Sequence, residues 1–530
     1  MFHKILALIF LCLLVLTLSA APALTGTGEF PPSVMKALEA SGNNRPELEK
    51  AFTHYQQRSD SSEIDRLKYM AVQYLIENME GHCYVTYKLV DTAGEEVDFN
   101  VLDYPDYDSL ERAVGAIEDA RGVLDYKRKD KFDDLQTITA DFLMNQIDYA
   151  FRAWTEKPWA QNLTFEQFCD YVLPYRGSNE PLEPWREYFW SRYEGIVDSM
   201  SDPTDIVEAA RIINDDVRSW FGFDPRYYYH PTDQGLSEML GSELGRCEDM
   251  TNVTIYAFRA NGLAVTSDYT PYWANSGNNH AWNAILLADG RVVPFMGAEA
   301  NPGEYKLANK LAKVYRKMYA LQPDNLIFQT RKQEEVPRWL AGKNYIDVTP
   351  DYTEVFDVSL SFTEELPDSV DMAYLCVFNS GEWQAIHWGR IFDGTAVFTD
   401  VGSDIVYLPA LYLNEEIEPF GPPFVLEKNT GKVITLEASG LNSMVKLTGT
   451  TQRKQEISTD GVAKSSLADG KEYEFFVWQD GWQSLGTATA GDEPLGFENV
   501  PQGGLYWLVA DDSDREERIF TIDDSIQVWW

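Results

Sequence analysis

The hydrophobic period changes once along this chain of 530 residues, and that change restricts the folds open to it. From about Pro32 to Met200, apolar residues recur at spacings of three and four. The runs at 47–55, 63–78, 110–119, 135–154, 165–172 and 183–197 predict amphipathic helices. Another helix is expected from Asp202-Pro203 through Ile206, Ala210, Ile213 and Val217. Beyond about Tyr345 the period falls to two, as in Val358-Ser359-Leu360-Ser361-Phe362, which predicts strands. This second part also repeats itself. At a constant offset of 99, Tyr374, Trp383, Gln384, Phe398, Val401 and Tyr407 are matched by Tyr473, Trp482, Gln483, Phe497, Val500 and Tyr506. Two tandem β-sandwich domains are therefore expected.

Between the two parts stands Gly245-Arg246-Cys247-Glu248-Asp249. It precedes Met250, Val253, Ala257 and Ala260 at helical spacing, and Asn261-Gly262 then stops the helix. His280 follows in Asn279-His280-Ala281-Trp282-Asn283, on an apolar run that predicts a strand. Asp289-Gly290 predicts a hairpin turn, with a return strand from Arg291 to Phe295. A thiol at a helix start and an imidazole on the next strand are the parts of nucleophilic acyl transfer. The helix N-terminus and a nearby imidazolium favour thiolate, and the imidazole can carry the proton to the leaving group.

These residues resemble the transglutaminase-like superfamily, whose papain-like core carries G-x-C-x-D opening a helix, R-x-x-G closing it, and H-x-W on a strand. The three motifs read here as Gly245 to Asp249, Arg259 to Gly262, and His280 to Trp282. The resemblance covers about residues 205–300 and extends to secreted bacterial multidomain proteins with this core in the middle. It implies Cys247 as nucleophile and His280 as base. The implied enzyme is a cysteine hydrolase or acyltransferase acting on peptide or protein amides through a thioester. The alternative is a catalytically inactive scaffold that binds glycan or peptide through its clefts and β domains.

A histidine base needs a partner that fixes its tautomer. The family's aspartate falls at Met296, and methionine accepts an imidazole N–H only weakly. Glu299 is the nearest replacement, reached by a turn at Gly297, with Asn283 and Asp289 behind it. Trp220 and the tyrosines at 227–229 are candidates for oxyanion binding. The six histidines show no metal-ligand spacing, and no glycine-rich phosphate loop occurs, so no metal or cofactor is expected.

Net charge is −40, from 84 acidic and 44 basic residues, which argues against nucleic acid and anionic membrane as partners. Lys4, an apolar run from Ile5 to Leu18 and Ala21-Pro22-Ala23 form a secretory signal pattern. Removal of 1–23 would leave a secreted or periplasmic protein with no strong membrane association. The cysteines that remain, Cys83, Cys169, Cys247 and Cys376, are too few for a disulfide scaffold, although a Cys83–Cys169 bridge is open. The expected class is α+β multidomain. An all-α N-terminal region (24–200) leads to a transglutaminase-like α+β core (201–345), then to β-sandwich domains at 346–440 and 441–530.

Overall fold

The computed structural model describes residues 30–530, apart from 231, 332–335, 363–365, 367–369, 453–455, 458–462, 492, 511–512 and 514–516. The signal pattern at 1–23 lies outside the described residues. Helices stand where the three-and-four spacing puts them: Arg45–Gln56, Glu63–Glu77, Tyr107–Arg121, Ala140–Glu156, Phe165–Tyr171 and Trp185–Arg192. Four of them bury Phe52, Val72, Leu75, Leu143, Ile147, Phe151 and Phe168 in one cluster, while Leu110 and Trp185 of the other two lie in separate cores. The expectation of an all-α region needs one correction. Strand β1 (Cys83–Val90) pairs antiparallel with β2 (Asp125–Asp133). The second of these reads Asp-Tyr-Lys-Arg-Lys-Asp-Lys-Phe-Asp, and its middle residues are exposed, so no apolar alternation marks it in the sequence. No helix of the described residues is long and apolar enough to cross a membrane. Cys83, Cys169, Cys247 and Cys376 are all free, so the Cys83–Cys169 bridge is not formed.

The middle of the chain is built on the helix Cys247–Ala260, buried from Asp249 to Ala260. It packs on a sheet of β3 (Val265–Thr270), β4 (His280–Leu286), β5 (Val292–Phe295), β6 (Tyr315–Lys317) and β7 (Tyr345–Asp347), in the order β5-β4-β3-β6-β7. Both ends of the helix are fixed by the motif residues. At its start, the Asp249 carboxylate turns back to accept the N–H groups of Gln234 (2.9 Å) and Arg246 (3.0 Å). A β-carbon on Gly245 would lie 2.6 Å from the Asp249 Cβ, so glycine is required there. At its end, Gly262 has φ +74°, and a β-carbon would lie 2.9 Å from the Ala153 carbonyl. Arg259 is buried and donates to the carbonyls of Tyr171, Pro174, Arg176 and Val265. That fan of charge-assisted bonds ties the helical half to the Cys247 helix.

Most of the remaining strands fall into two copies of one topology. The first comprises β8 (Val355–Ser361), β9 (Met372–Asn379), β10 (Glu382–Phe392), β11 (Thr395–Gly402), β12 (Ile405–Leu413), β13 (Phe424–Leu426) and β14 (Val433–Thr435), ordered β8-β11-β10-β9-β12-β13-β14. The second comprises β15 (Asn442–Leu447), β16 (Glu472–Trp478), β17 (Trp482–Thr489), β18 (Leu495–Pro501), β19 (Tyr506–Ala510), β20 (Ile519–Asp523) and β21 (Ile526–Trp529). It is ordered β15-β18 and β17-β16-β19-β20-β21. Register shifts fall at matching places: 375/376 and 475/476, then 356/358 and 443/445. In each copy a tyrosine reaches back five residues: Tyr407 to the Gly402 carbonyl (2.7 Å), and Tyr506 to that of Pro501. Val358 and Phe398 of the β8–β11 pair share a core with Leu375 and Val377 of β9, so the copy is layered. Val445 and Phe497 meet Phe475 and Val477 in the same way.

Both copies grip the loop that leads into His280. The Asn379 amide donates to the carbonyls of Trp273 (3.0 Å), Ser276 (2.9 Å) and Asn278 (2.9 Å). Arg518, just before β20, donates to Ala274 (2.6 Å), Ser276 (3.4 Å), Phe378 (2.7 Å) and Trp530 (3.1 Å). Burial pulls this guanidinium down to about 9, and carbonyl dipoles hold it in place.

Candidate functional site

Cys247 is the first residue of its helix and lies part-buried against a core that includes Trp273 and Trp282. Burial pushes its thiol up to about 11. Glu248 adds to the shift, and the Arg246 guanidinium opposes it. The helix terminus therefore does not prevail here, and the resting sulfur at neutral pH is a thiol rather than the thiolate expected from its position. The two neighbouring carboxylates are both engaged elsewhere. Asp249 caps the helix, and Glu248 pairs with Lys317, which also donates to the Ser178 hydroxyl (2.8 Å).

His280 opens β4. Its Nε2 lies 2.6 Å from the Tyr305 hydroxyl, and its ring stacks at 5.7 Å on Trp273. Burial lowers the imidazole's pKa and the Glu248 charge raises it, with a net shift downward, so at neutral pH it is an uncharged base. Tyr305 is the hydrogen-bond partner of the His280 ring. Its phenol is pushed up by burial, then by the charges of Glu299 and Cys247. Nothing in the irregular stretch around Tyr305 marks it in the sequence.

The carboxylate read from the sequence stands one step back. Glu299 is exposed, its backbone carbonyl accepts from Arg218 (3.1 Å), and its charge reaches Tyr305; the partner on the His280 ring is the phenol. The turn that leads to it also differs from expectation. Ala298 carries the positive φ (57°), whereas Gly297 is needed because a β-carbon would lie 2.6 Å from Asn283 Oδ1. Asn283 is buried away from His280. It accepts the Gly297 N–H (3.1 Å) and donates to the Thr251 carbonyl (3.2 Å), tying β4 and β5 to the Cys247 helix. Asp289 sits in the exposed turn, paired with Arg291 (2.7 Å).

Of the oxyanion candidates, Tyr228 alone lies in the Cys247 field, its phenol pushed up by desolvation and then by that charge. Trp220 faces Arg192 at 5.4 Å, Tyr227 is buried, and Tyr229 packs on Phe99. Behind His280, Trp282 donates to Tyr352 (3.1 Å), which donates to Asp268 (2.6 Å). Asp268 is held by Arg316 through two bonds of 2.8 Å, and this buried chain braces β4.

The Glu248 charge raises both Cys247 and His280, which gives a signed expectation. Replacing it with glutamine (Glu248→Gln) lowers the pKa of the Cys247 thiol and of the His280 imidazole together. At pH 8, iodoacetamide labels Cys247 several-fold faster in the variant, and NMR places the His280 titration lower. An unchanged labelling rate would remove Glu248 from the site.

No curated protein matches the chain. Among protein families, residues 194–296, which hold Cys247, His280 and the motifs around them, match the model of the transglutaminase-like superfamily.

Proposed function

We propose that this protein is a cysteine amidase or protease that cleaves peptide or protein amides through a thioester. The observation that carries the reading is that Cys247, the first residue of its helix, packs against the core cluster that holds Trp273, and the His280 ring stacks on Trp273 with its Nε2 on the half-buried Tyr305 phenol. In this mechanism His280 takes the S–H proton as the Cys247 sulfur attacks the amide carbonyl. The C–N bond then breaks, and the departing amine takes that proton from His280, leaving a thioester. Water attacks the thioester and passes its proton to His280. The acid is released, and the proton returns to sulfur. An amine in place of water would give transamidation. The secretory pattern at 1–23 supports a secreted or periplasmic setting in which peptides are at hand.

The test is acyl trapping. Full-length protein is mixed with a peptide library, quenched in acid and mapped by mass. The expected result is an acyl adduct on the Cys247 peptide that hydroxylamine removes, absent in Cys247→Ala. A thiol raised to about 11 and Met296 at the family's aspartate position favour a second reading, a scaffold that binds peptide or glycan. Binding without any adduct or turnover would establish it.

A further inference from the structure

The chemistry above needs a proton on one particular nitrogen of the His280 ring, and Met296, at the family's aspartate position, has no carboxylate to hold it there. Met296 is spent on the fold: its side chain is buried in the core, and its N–H and carbonyl both pair with Ala300. The His280 ring stacks on Trp273 (5.7 Å, 28°) and lies 5.9 Å from Trp282, which holds its plane. The group that meets its Nε2 is the Tyr305 hydroxyl, at 2.6 Å. Tyr305 belongs to no helix or strand, and its place is set from both sides. Before it, the Asn301 side chain accepts from Asn214 (2.9 Å) and donates to Asp215 (2.9 Å), and the Pro302 carbonyl accepts from Arg211 (3.3 Å). All three partners stand on the helix Ile206–Arg218. After it, the Lys310 N–H donates to the Asn275 side chain (2.7 Å), and the Lys310 carbonyl accepts the Ala274 N–H (3.3 Å). Those two bonds tie the Tyr305 segment to the loop that carries Trp273. The phenol is therefore fixed against the imidazole by bonds that involve neither ring.

A hydroxyl both donates and accepts, so the bond can run in two directions. A phenol that donates to Nε2 puts the ring proton on Nδ1 and leaves no lone pair for the thiol. A phenol that accepts Nε2–H leaves Nδ1 bare, and the same bond then serves the neutral ring and the imidazolium without rearrangement. The Glu299 charge, which reaches the phenol, favours an O–H turned toward the carboxylate and a lone pair left for Nε2–H. We propose that Tyr305 is the positioning residue of this site: its oxygen accepts the His280 Nε2–H, which leaves the Nδ1 lone pair as the base for the Cys247 thiol. The assignment rests on the thioester reading only for the task given to Nδ1. An uncharged phenol fixes the tautomer without holding an imidazolium at rest, in keeping with a resting pair of neutral thiol and neutral imidazole.

Magic-angle-spinning nitrogen-15 NMR of the full-length protein at pH 8 reads the tautomer with no substrate present. The His280 signals are identified by their loss in His280→Gln. The expected spectrum shows protonated Nε2 and bare Nδ1, with the Nε2–H form in about tenfold excess. Tyr305→Phe keeps the ring and removes the hydroxyl, and there the excess falls several-fold. The same variant slows acetylation of Cys247 by p-nitrophenyl acetate, followed by release of p-nitrophenol, about tenfold or more. An Nδ1–H form as the major species in the wild type would overturn the proposal, since the phenol would then be the donor. A tautomer ratio unchanged in Tyr305→Phe, or acetylation unchanged while the ratio shifts, would overturn it as well. The expected ratios with no acetylation of either protein would bear out the tautomer and overturn the thioester reading instead.

Discussion

Iodoacetamide is expected to label Cys247 slowly at pH 7 and about tenfold faster with each unit up to about pH 10, levelling only near 11. The thiol is raised first by burial and then by Glu248, so thiolate is scarce at neutral pH. His280 is lowered by burial, so it is uncharged there and cannot stabilise a resting ion pair. The proton must then move during attack, not before it. Turnover accordingly holds level from about pH 7 upward and falls as His280 takes a proton, below its ordinary value near 6.5. Mass mapping separates Cys247 from Cys83, Cys169 and Cys376, all raised by burial. A labelling rate flat from pH 6 to 8 would mean a thiolate–imidazolium pair. Equal labelling of wild type and Cys247→Ala would leave the nucleophile assignment without support.

Arg518→Met is the second large effect. The substitution strips donors from the carbonyls of Ala274, Ser276, Phe378 and Trp530 in a buried setting. Bonds from a charged donor contribute roughly 1.5–3 kcal/mol each, so a loss of about 3 kcal/mol or more is expected, read as a lower denaturation midpoint. Hydrogen exchange shows where the loss falls. Amides at 273–280 exchange at least tenfold faster, those of the Cys247 helix do not, and Arg518→Lys recovers part of the protection. Faster exchange confined to 519–529 would limit Arg518 to stapling its own strand.

Local chemistry explains what the sequence made legible. Cys247, His280 and the hairpin at 289–290 are signalled within a few residues of themselves, because helix starts, strand alternation and turns are short-range. The duplication was readable because Trp383 and Trp482, or Tyr407 and Tyr506, perform the same packing job twice. Other parts of the site were set at long range. Tyr305 comes 25 residues after His280 in irregular chain, and the brace from Trp282 to Asp268 runs through Tyr352, 70 residues away. Glu299 is near His280 in sequence, but its exposed side chain leaves the His280 ring to a phenol. The β1–β2 pair is hidden by the charges of β2, since a strand facing water on its outer residues carries no apolar rhythm.

The grip of Arg518 on the histidine loop also orders events in time. Its guanidinium is 242 residues downstream of Ser276. At ribosomal rates of about 5–20 residues per second, the loop waits roughly ten to fifty seconds for its last fastener. The Cys247 helix and the His280 strand are made early, yet the loop between them acquires its Arg518 contacts only once the second β copy has been synthesised and has folded. A chain made only as far as the first β copy would carry Cys247 with the loop before His280 held by Asn379 but not by Arg518.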